Sequence, residues 1–303
     1  MSPALVSVIV PCYNHQNFVI DCINSICAQD YESVELIIID DGSKDNSVIE
    51  IKKSLKQCEA RFERFEFRAR ENKGLCTTLN EALSWCRGEF CIVIASDDIM
   101  NSDRISKQVS VFYEKKNLEP ELVAIYSGVE MIDGDGQFIK NKYGNNSFSS
   151  FKDVFLRTEF LPTPTCMVLT DKLRASGGYN DNFKIEDFYI RVKLTVNGGK
   201  FYTIKQPLVK YRMHSDNMSG KSDLIWNGVF QILDEYKSHP LYQKALAMSM
   251  MIHAHDIQQY DNRKALLKIF EAVKLSSSVI LTKSMFKLLI KIFILTPVKY
   301  VKE

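Results

Sequence analysis

The stretch "VELIIIDDGSKDNS", residues 34–47, decides the fold. Residues 34–39 form a largely β-branched, apolar run, which indicates a strand that is covered on both faces. Aspartate, glycine and serine then favour a turn, and a helical pattern follows through "VIEIKKSLKQC". A buried strand that turns directly into a helix is the repeating unit of α/β proteins.

The first hundred residues repeat this unit. Further strands are predicted at "LVSVIV" (5–10), "RFEFRA" (64–69) and "EFCIVIA" (89–95), with helical patterns between them. This alternation predicts an α/β fold with a mainly parallel sheet flanked by helices. Such sheets bind ligands at the carboxyl ends of their strands, where residues 11–15, 40–45 and 96–98 are polar. These three segments are therefore expected to share one edge of the sheet.

The second half of the chain has a mixed pattern. "ELVAIYSGVEMID" and "QFIKNK" flank "GDG" and predict a hairpin, while "TPTCMVLT" predicts another strand. A helix is expected to begin near Glu186, and beyond about residue 220 the pattern is helical. We predict a catalytic α/β domain over residues 1–220 and a C-terminal helical region over residues 221–303.

Composition excludes several classes of protein. The 303 residues are 46% hydrophobic and carry a formal charge of +2, without a basic run interleaved with aromatics, so no nucleic-acid partner is expected. The eight cysteines form no C-x-x-C pair and several lie in apolar patterns, which favours reduced thiols in a cytoplasmic protein over disulfides. The sequence shows no signal-peptide pattern and no apolar stretch of the roughly 18 residues typical of a membrane span.

Two strand ends carry adjacent carboxylates. Asp40 could accept the ring N–H of a uracil base, although an ordinary turn with Asp45 as a helix cap fits the same residues. Asp97 and Asp98 repel each other, and a bound Mg²⁺ or Mn²⁺ would remove that repulsion and could bridge a diphosphate. A helix start, where the macrodipole stabilises acidic residues, is the alternative interpretation of this pair.

Two further positions can carry chemistry. Asp187, in "IEDF", is a candidate general base, although an acidic helix start explains Glu186 and Asp187 equally well. His214, in "YRMHSDNMSG", is a candidate site residue, but a single histidine is more often an ordinary surface side chain.

The motifs together resemble a known family. "VSVIVPCYN", "IIIDDGSKDNS", "ENKGLCTTLNEAL", "ASDD", "GGY" and "IED" occur in the order and at the spacings of family 2 glycosyltransferases, over roughly residues 5–215. The resemblance implies a GT-A (Rossmann-like) fold, a nucleotide-activated sugar donor, usually UDP-linked, and inversion at the anomeric carbon. It also implies that Mn²⁺ or Mg²⁺ is the cofactor.

The resemblance implies roles for individual residues. Asp187 matches the general base that deprotonates the acceptor hydroxyl, and Asp40 matches the residue that holds the base of the nucleotide. The metal would be bound by Asp97, Asp98 and His214. The nucleotide pocket would be lined by Pro11, Tyr13, Asn14, Asp40, Ser43, Asp45, Lys73, Gly74, Ser96 and Asp97.

One position departs from the family pattern. Relatives often read D-x-D-D where this chain has Ala95 at the first position. A ribose or metal contact is therefore in question, and metal binding is expected to depend on Asp97 and Asp98. A catalytically silent glycan-binding protein of the same fold is one alternative to a transferase. A sugar-nucleotide pyrophosphorylase is the other, but "PCYNHQ" lacks the glycine-rich, basic loop that such an enzyme places after its first strand.

The expected activity is a metal-dependent hexosyl- or N-acetylhexosaminyltransferase of bacterial surface polysaccharide synthesis, such as O-antigen or capsule. The resemblance implies that its acceptor is a hydroxyl of a lipid-linked glycan. The C-terminal segment "TKSMFKLLIKIFILTPVKYVKE" (282–303) places Lys283, Lys287 and Lys291 along one helical face. This pattern predicts a basic amphipathic helix at the inner face of the plasma membrane. The alternative is a helix that packs on protein, within the chain or in a homodimer.

Overall fold

The protein is described here by a computed structural model covering residues 3–183, 185–214 and 222–292. The chain divides into two compact units. The first comprises Met1–Phe151, Glu159–Asn182 and Glu186–Asn217. The second comprises Lys152–Thr158, Phe183–Ile185 and Met218–Glu303. The sequence patterns do not predict that two short upstream segments belong to the same unit as the C-terminal helices.

All strands of the described residues belong to one sheet in the first unit. They are β1 (Val6–Cys12), β2 (Val34–Asp40), β3 (Arg64–Ala69), β4 (Phe90–Val93), β5 (Ile99–Met100), β6 (Leu122–Asp133), β7 (Phe138–Lys142), β8 (Ser147–Ser149), β9 (Met167–Leu169) and β10 (Lys200–Met213).

Along the chain, helices alternate with these strands and then make up most of the C-terminal region. They are α1 (Val19–Cys27), α2 (Ser47–Lys53), α3 (Leu55–Arg61), α4 (Leu75–Trp85), α5 (Arg104–Lys116), α6 (Phe151–Phe155), α7 (Thr170–Ala175), α8 (Glu186–Val196), α9 (Ser222–Asp234), α10 (Tyr242–Gln258), α11 (Asn262–Leu275) and α12 (Lys283–Ile290). Short 3₁₀ helices occupy Thr163–Thr165 and Ser277–Leu281.

The sheet order is β3-β2-β1-β4-β9-β6-β10-β5, and its first four strands are parallel, as the alternating pattern predicts. Cys12 pairs with Asp40, and Ile9 pairs with Val93. The carboxyl ends of β1, β2 and β4 therefore meet at one edge. The other half is mixed, because β9 runs antiparallel to both β4 and β6.

Several predicted elements are confirmed. The strands at 34–40 and 64–69, the β6–β7 hairpin and the helix that begins at Glu186 all appear. The predicted helix over residues 48–58 is instead divided into α2 and α3 at Ser54. The patterns do not predict β10, whose register against β6 shifts around Pro207. A proline inside a run argues against a strand, because it removes a ladder donor.

The strands β1, β2 and β4 form the core of the first unit. Their side chains are almost entirely buried, together with the inner faces of α1 and α5. Burial on both sides explains why the strands read as continuous apolar runs rather than alternating ones. All eight cysteines are free thiols, and six of them are buried.

The side chain of Glu35 is charged and lies buried among these strands. Glu35, on β2, is fully buried and accepts hydrogen bonds from the Ser7 hydroxyl (2.5 Å), the Arg87 N–H (2.5 Å) and the Arg64 guanidinium (3.0 Å). Burial by itself would raise the pKa of this carboxyl, but these donors outweigh it and hold the pKa below its ordinary value. The lowered pKa means that the charged form is stabilised in the folded state.

Substitution of Glu35 by glutamine is expected to lower the free energy of unfolding by about 1–3 kcal/mol at neutral pH, because buried donors lose their charged acceptor. The stabilisation from a lowered carboxyl pKa is present above the unfolded-state pKa and is lost as pH falls through the folded-state pKa. Urea unfolding of wild type and Glu35→Gln from pH 3 to 7 should therefore converge at acid pH. Glu66→Gln, which removes an exposed partner of Arg64, is the matched control. An equal effect of both variants would contradict the prediction.

The second unit is helical throughout its described residues. The helices α10, α11 and α12 pack around an apolar cluster that is rich in alanine and methionine. Its buried members are Ala247, Met251, Ala254, Ala265, Ile269, Ala272, Val279, Met285, Leu288 and Ile292. Three of these residues come from the predicted C-terminal helix, so one face of that helix packs within the unit. Residues 293–303 of the predicted membrane segment lie outside the described residues.

None of the helices in the described part of the chain combines the length and the apolar character that crossing a membrane requires.

Candidate functional site

The loops after β1 and β2 are tied together at the carboxyl edge of the sheet. The Asn14 N–H donates to the Ser43 hydroxyl (2.9 Å), and the Lys44 N–H donates to the Asn14 side-chain oxygen (2.7 Å). Asn14 has a φ of 55°, in the left-handed region that asparagine tolerates better than most residues. Pro11 pairs with Ile39 one residue before β1 ends at Cys12, and Tyr13 is 46% exposed.

Asp40 lies at the end of β2 with its side chain almost fully buried. Its two carboxylate oxygens accept the N–H (2.9 Å) and the hydroxyl (2.5 Å) of Ser43. Each carboxylate oxygen has two acceptor sites, so these bonds leave capacity for a further donor. Asp40 is therefore held in one orientation and can still accept an N–H from a ligand.

Asp45 joins the same two loops. It accepts the Gln16 N–H (2.9 Å) and both the N–H (2.9 Å) and the hydroxyl (2.5 Å) of Ser47. Partial burial raises the pKa of Asp45, but these donors outweigh it and lower the pKa overall. The bonds assign Asp45 a loop-fixing role in this structure.

Asp41 organises the third loop of the edge. Its carboxylate accepts the N–H groups of Lys73 (2.8 Å) and Gly74 (2.9 Å) and forms an ion pair with Arg70. Gly74 has a φ of 87°, which a glycine adopts without strain. The sequence motifs give Asp41 no predicted role, although it is the second aspartate of "DDG". Asp41 thus holds the backbone of Lys73 and Gly74 at the edge of the sheet.

Asp97 lies between two histidines at the end of β4. The His214 Nε2 is 2.9 Å from Asp97 Oδ2, and the His15 Nδ1 is 3.9 Å from Asp97 Oδ1. The His15 Nδ1 also lies 2.7 Å from the Ser96 hydroxyl. The structure therefore brings together three predicted residues (Ser96, Asp97 and His214) and adds His15, to which the sequence analysis assigns no role.

These side chains fit a divalent cation. One potential ligand atom from each of His15, Asp97 and His214 lies within 4.8 Å of the others. Asp97 is only 7% exposed, and its buried Oδ1 has no hydrogen-bond partner in the part of the chain that the structure describes. An unsatisfied buried carboxylate oxygen is costly, and a cation would satisfy it.

Asp98 has different partners from Asp97. Its Oδ1 accepts the backbone N–H of Arg212 on β10 (3.0 Å), and the residue is 1% exposed. Burial, followed by the charge of Asp97, raises the pKa of Asp98 well above its ordinary value, against the opposing charges of Arg104 and Arg212. Asp98 lies outside the His15–Asp97–His214 cluster. Its predicted role as a metal ligand remains a prediction.

An aromatic side chain supports His214. The Phe18 ring stacks on the His214 ring with 5.0 Å between the centroids, and the Arg212 guanidinium lies 4.9 Å from the Phe18 centroid. The Arg212 side chain also donates to the Asp97 backbone carbonyl (3.0 Å) and to Asp21 (3.1 Å). Neither Phe18 nor Arg212 is recognisable as a site residue from the motifs, because their partners are distant in sequence.

Asp187 forms a second polar cluster, at the start of α8. Its Oδ1 accepts the Phe188 N–H (2.6 Å), and its Oδ2 accepts from Arg191 (2.5 Å) and from the Thr163 hydroxyl. Arg191 also donates to the Leu161 carbonyl (2.6 Å), which ties the segment before the 3₁₀ helix to α8. The carboxylate of Asp187 is therefore held in place by donors on several sides.

Glu186, beside Asp187, has the more strongly perturbed acidity. Burial and then the charge of Asp187 raise the pKa of Glu186 to about 7. A carboxyl group with a pKa near neutrality can both take up and release a proton at physiological pH. The sequence analysis names Glu186 only as an acidic helix-start residue.

A nucleophilic thiol is disfavoured at this edge. Cys12 ends β1 beside Asp40, and burial raises the pKa of its thiol to about 12. The thiolate, which is the reactive form, is therefore scarce at neutral pH.

Comparison with known proteins identifies the family. A family model described as glycosyl transferase family 2 matches residues 7–166, more than half of the chain. The chain belongs to glycosyltransferase family 2. The matched residues include β2, β4 and all but the first residue of β1, and they contain both Asp40 and Asp97. His214 and Asp187 lie beyond the matched segment.

Some curated relatives of this glycosyltransferase are named for polysaccharide synthesis. The Escherichia coli chondroitin synthase is 26% identical over 258 residues, which are 84% of this chain and 36% of the synthase. The Escherichia coli O-antigen biosynthesis glycosyltransferase WbnJ is 28% identical over 218 residues, covering 70% of this chain and 80% of WbnJ. The chain spans only 21% of two rickettsial relatives described as uncharacterized glycosyltransferases.

Solved structures of glycosyltransferases share the fold. Staphylococcus aureus TarS in complex with UDP-GlcNAc superposes with a TM-score of 0.63 at 16% identity, covering 89% of this chain and 79% of that one. The mannosyltransferase PcManGT from Pyrobaculum calidifontis, in complex with GDP-Man and Mn²⁺, has a TM-score of 0.60 at 14% identity, covering 98% and 89%. The predicted GT-A fold with a helical C-terminal region is thus confirmed.

Proposed function

We propose that this glycosyltransferase is an inverting, metal-dependent enzyme that transfers a sugar from a UDP-sugar to a glycan hydroxyl. The observation that carries the proposal is the arrangement of two carboxylates on one edge of the sheet. Asp40, held by Ser43, ends β2, while Asp97, beside His15 and His214, lies in the loop that follows β4. One carboxylate suits a base N–H, and the other suits a cation on a diphosphate.

The proposed division of roles follows the chemistry of each group. Asp40 accepts the N–H of the uracil, and the loops of Asn14, Ser43 and Lys73 surround the nucleotide. Asp97 and His214 would hold Mn²⁺ or Mg²⁺. When bound, such an ion neutralises the charge that develops on the departing diphosphate. The UDP-GlcNAc in the TarS complex and the Mn²⁺ in the PcManGT complex support this assignment by fold similarity.

The proposed general base is Asp187. It would take the proton of the acceptor hydroxyl as the oxygen attacks the anomeric carbon, in a single displacement. The donors from Phe188, Arg191 and Thr163 hold its carboxylate in place, but they also occupy acceptor sites that the substrate hydroxyl would need. Glu186, with a pKa of about 7, is therefore a second candidate for the same step.

A screen of UDP-sugars tests the proposal. The protein should release UDP from one of them in a reaction that requires Mn²⁺ or Mg²⁺, and faster when the correct glycan acceptor is present. A catalytically silent glycan-binding protein would release none. Pyrophosphate formation from UTP and a sugar phosphate would instead support a sugar-nucleotide pyrophosphorylase. GDP-mannose belongs in the screen, because PcManGT has the same fold and a different nucleotide.

We further propose a growing bacterial surface glycan, such as O-antigen or capsule, as the acceptor. The similarity to WbnJ and to chondroitin synthase supports this class. A lipid-linked acceptor would place the enzyme at the cytoplasmic face of the membrane, in peripheral contact through the C-terminal helices. Large apolar side chains exposed in the second unit support this contact: Leu267 (64%), Phe270 (59%), Ile280 (52%), Leu281 (90%) and Phe286 (70%).

The exposed apolar side chains give a test that spares the core of the second unit. Replacing Leu281 and Phe286 together by serine is expected to reduce co-sedimentation with anionic liposomes by about tenfold or more, because both side chains would lose burial in the lipid interface. Leu118→Ser, at another exposed leucine (71%), is the control.

Sedimentation of wild type and the double variant in equal amounts would contradict membrane contact through this surface. Analytical ultracentrifugation of both proteins would then test the homodimer, since a wild-type dimer that the double variant disrupts would assign the surface to protein contact.

A further inference from the structure

We propose that His15 is a third protein ligand of the metal ion, and that the resulting two-histidine, one-aspartate site selects Mn²⁺ over Mg²⁺. The inference rests on the proposed function for the presence of a metal beside Asp97. It goes beyond that function in assigning a ligand from the loop after β1 and a preference between the two ions.

The positions of the three side chains fit one ion. Metal–nitrogen and metal–oxygen bonds of about 2.1 Å place adjacent ligand atoms about 3 Å apart and opposite ones about 4.2 Å apart. The His214 Nε2 is 2.9 Å from Asp97 Oδ2, the His15 Nδ1 is 3.9 Å from Asp97 Oδ1, and all three groups have ligand atoms within 4.8 Å. Small side-chain adjustments would bring all three to one centre.

The carboxylate oxygen of Asp97 that lacks a hydrogen bond among the described residues lies on the His15 side of the cluster. Oδ2 of Asp97 pairs with His214, whereas the buried Oδ1, which lies nearer to His15, has no hydrogen-bond partner in the described part of the chain. A cation between His15 and Oδ1 would satisfy this oxygen.

His15 is held in this position through both its backbone and its ring. Its backbone N–H donates to the Ser47 hydroxyl (2.9 Å), and its Nδ1 lies 2.7 Å from the Ser96 hydroxyl. Ser96 is 1% exposed and directly precedes Asp97. Since Nδ1 is also the nitrogen 3.9 Å from Asp97 Oδ1, an ion bound there would replace the Ser96 hydrogen bond, while the backbone bond to Ser47 would still hold the residue.

The donor set decides the preference between ions. Mg²⁺ strongly favours oxygen ligands and is usually bound by carboxylates, waters and phosphates. Imidazole nitrogen suits transition metals, and for the same ligands affinity rises along the series from Mn²⁺ to Cu²⁺. Two imidazoles and one carboxylate therefore favour Mn²⁺ over Mg²⁺, whereas a site built from Asp97 and Asp98 alone would suit Mg²⁺.

The first experiment measures metal binding without turnover. The protein is titrated with MnCl₂, with and without UDP, and free Mn²⁺ is followed by its electron paramagnetic resonance signal against a UDP blank. We expect His15→Ala to weaken Mn²⁺ binding about tenfold or more. His15→Asp should retain binding but reduce the excess of Mg²⁺ needed to displace Mn²⁺. His255→Gln, a half-buried histidine of α10, is the matched control and should behave as wild type.

The second experiment counts the ligands directly. Electron spin echo modulation of the bound Mn²⁺ should show nitrogen of two imidazoles in wild type, one in His15→Ala and none after His214→Ala is added. Binding by His15→Ala within twofold of wild type, one imidazole in wild type, or no bound Mn²⁺ in wild type would each overturn the inference. If two imidazoles bind Mn²⁺ but the protein turns over no nucleotide sugar, the metal site is supported and the proposed function is refuted.

Discussion

Substitution of Asp97 by alanine is expected to abolish metal-dependent UDP binding and to lower sugar transfer by about 100-fold or more. Metal stabilisation of a leaving diphosphate is worth several kcal/mol, and each 1.4 kcal/mol corresponds to about a factor of ten in rate. Asp97 is the only carboxylate in the described cluster, so its loss leaves the two histidines without an anionic ligand. Calorimetric titration of UDP with Mn²⁺, with Mg²⁺ and with neither ion provides the measurement.

Asp98→Asn is the matched control for this experiment. Asparagine keeps the shape of the side chain and an oxygen that can accept the Arg212 N–H, while removing the charge. We expect the Asp98 variant to retain most metal-dependent UDP binding. Equal losses in both variants would make Asp98 a direct ligand, as the sequence pattern allows. Unchanged UDP affinity in Asp97→Ala would refute the metal site.

Substitution of Asp187 by asparagine is expected to lower transfer by about 10²–10⁴-fold while leaving UDP binding nearly unchanged, because a general base acts on the acceptor and not on the donor. Asparagine keeps one oxygen that can accept the Phe188 N–H, and its amide NH₂ can donate to the Thr163 hydroxyl. Transfer rates with saturating donor, and calorimetric UDP affinities, provide the two readouts. A variant that keeps more than a tenth of the wild-type rate would exclude Asp187 as the base.

The pH dependence distinguishes Asp187 from Glu186. A base must be deprotonated to act, so activity that depends on Glu186 should fall as pH drops below its pKa of about 7. If Glu186 is the base, Glu186→Gln should remove most of the activity. If Asp187 is the base, Glu186→Gln keeps most of the rate. Removing the charge of Asp187 should also lower the pKa of Glu186, since that charge helps to raise it.

The sequence predicts the parallel half of the sheet well. Residues 34–40 read as a buried strand because β2 is covered on both faces, and this kind of burial leaves a continuous apolar run that needs no tertiary information. The polar residues that follow β1, β2 and β4 could be assigned to one edge, since parallel strands present their carboxyl ends on the same side. The strand β10 is not predictable in this way, because Pro207 interrupts its pattern.

The sequence by itself determined the family, the α/β fold and the identity of Asp40 and Asp97 as carboxylates at strand ends. It could not distinguish Asp97 from Asp98, or find His15. Only the tertiary structure pairs Asp97 with His214, which lies 117 positions further along the chain, and Asp98 with the backbone of Arg212, 114 positions away. Strand runs and turns depend on interactions between near neighbours, whereas a ligand set depends on where β1, β4 and β10 end in space. That meeting of strand ends is decided by the packing of the whole sheet.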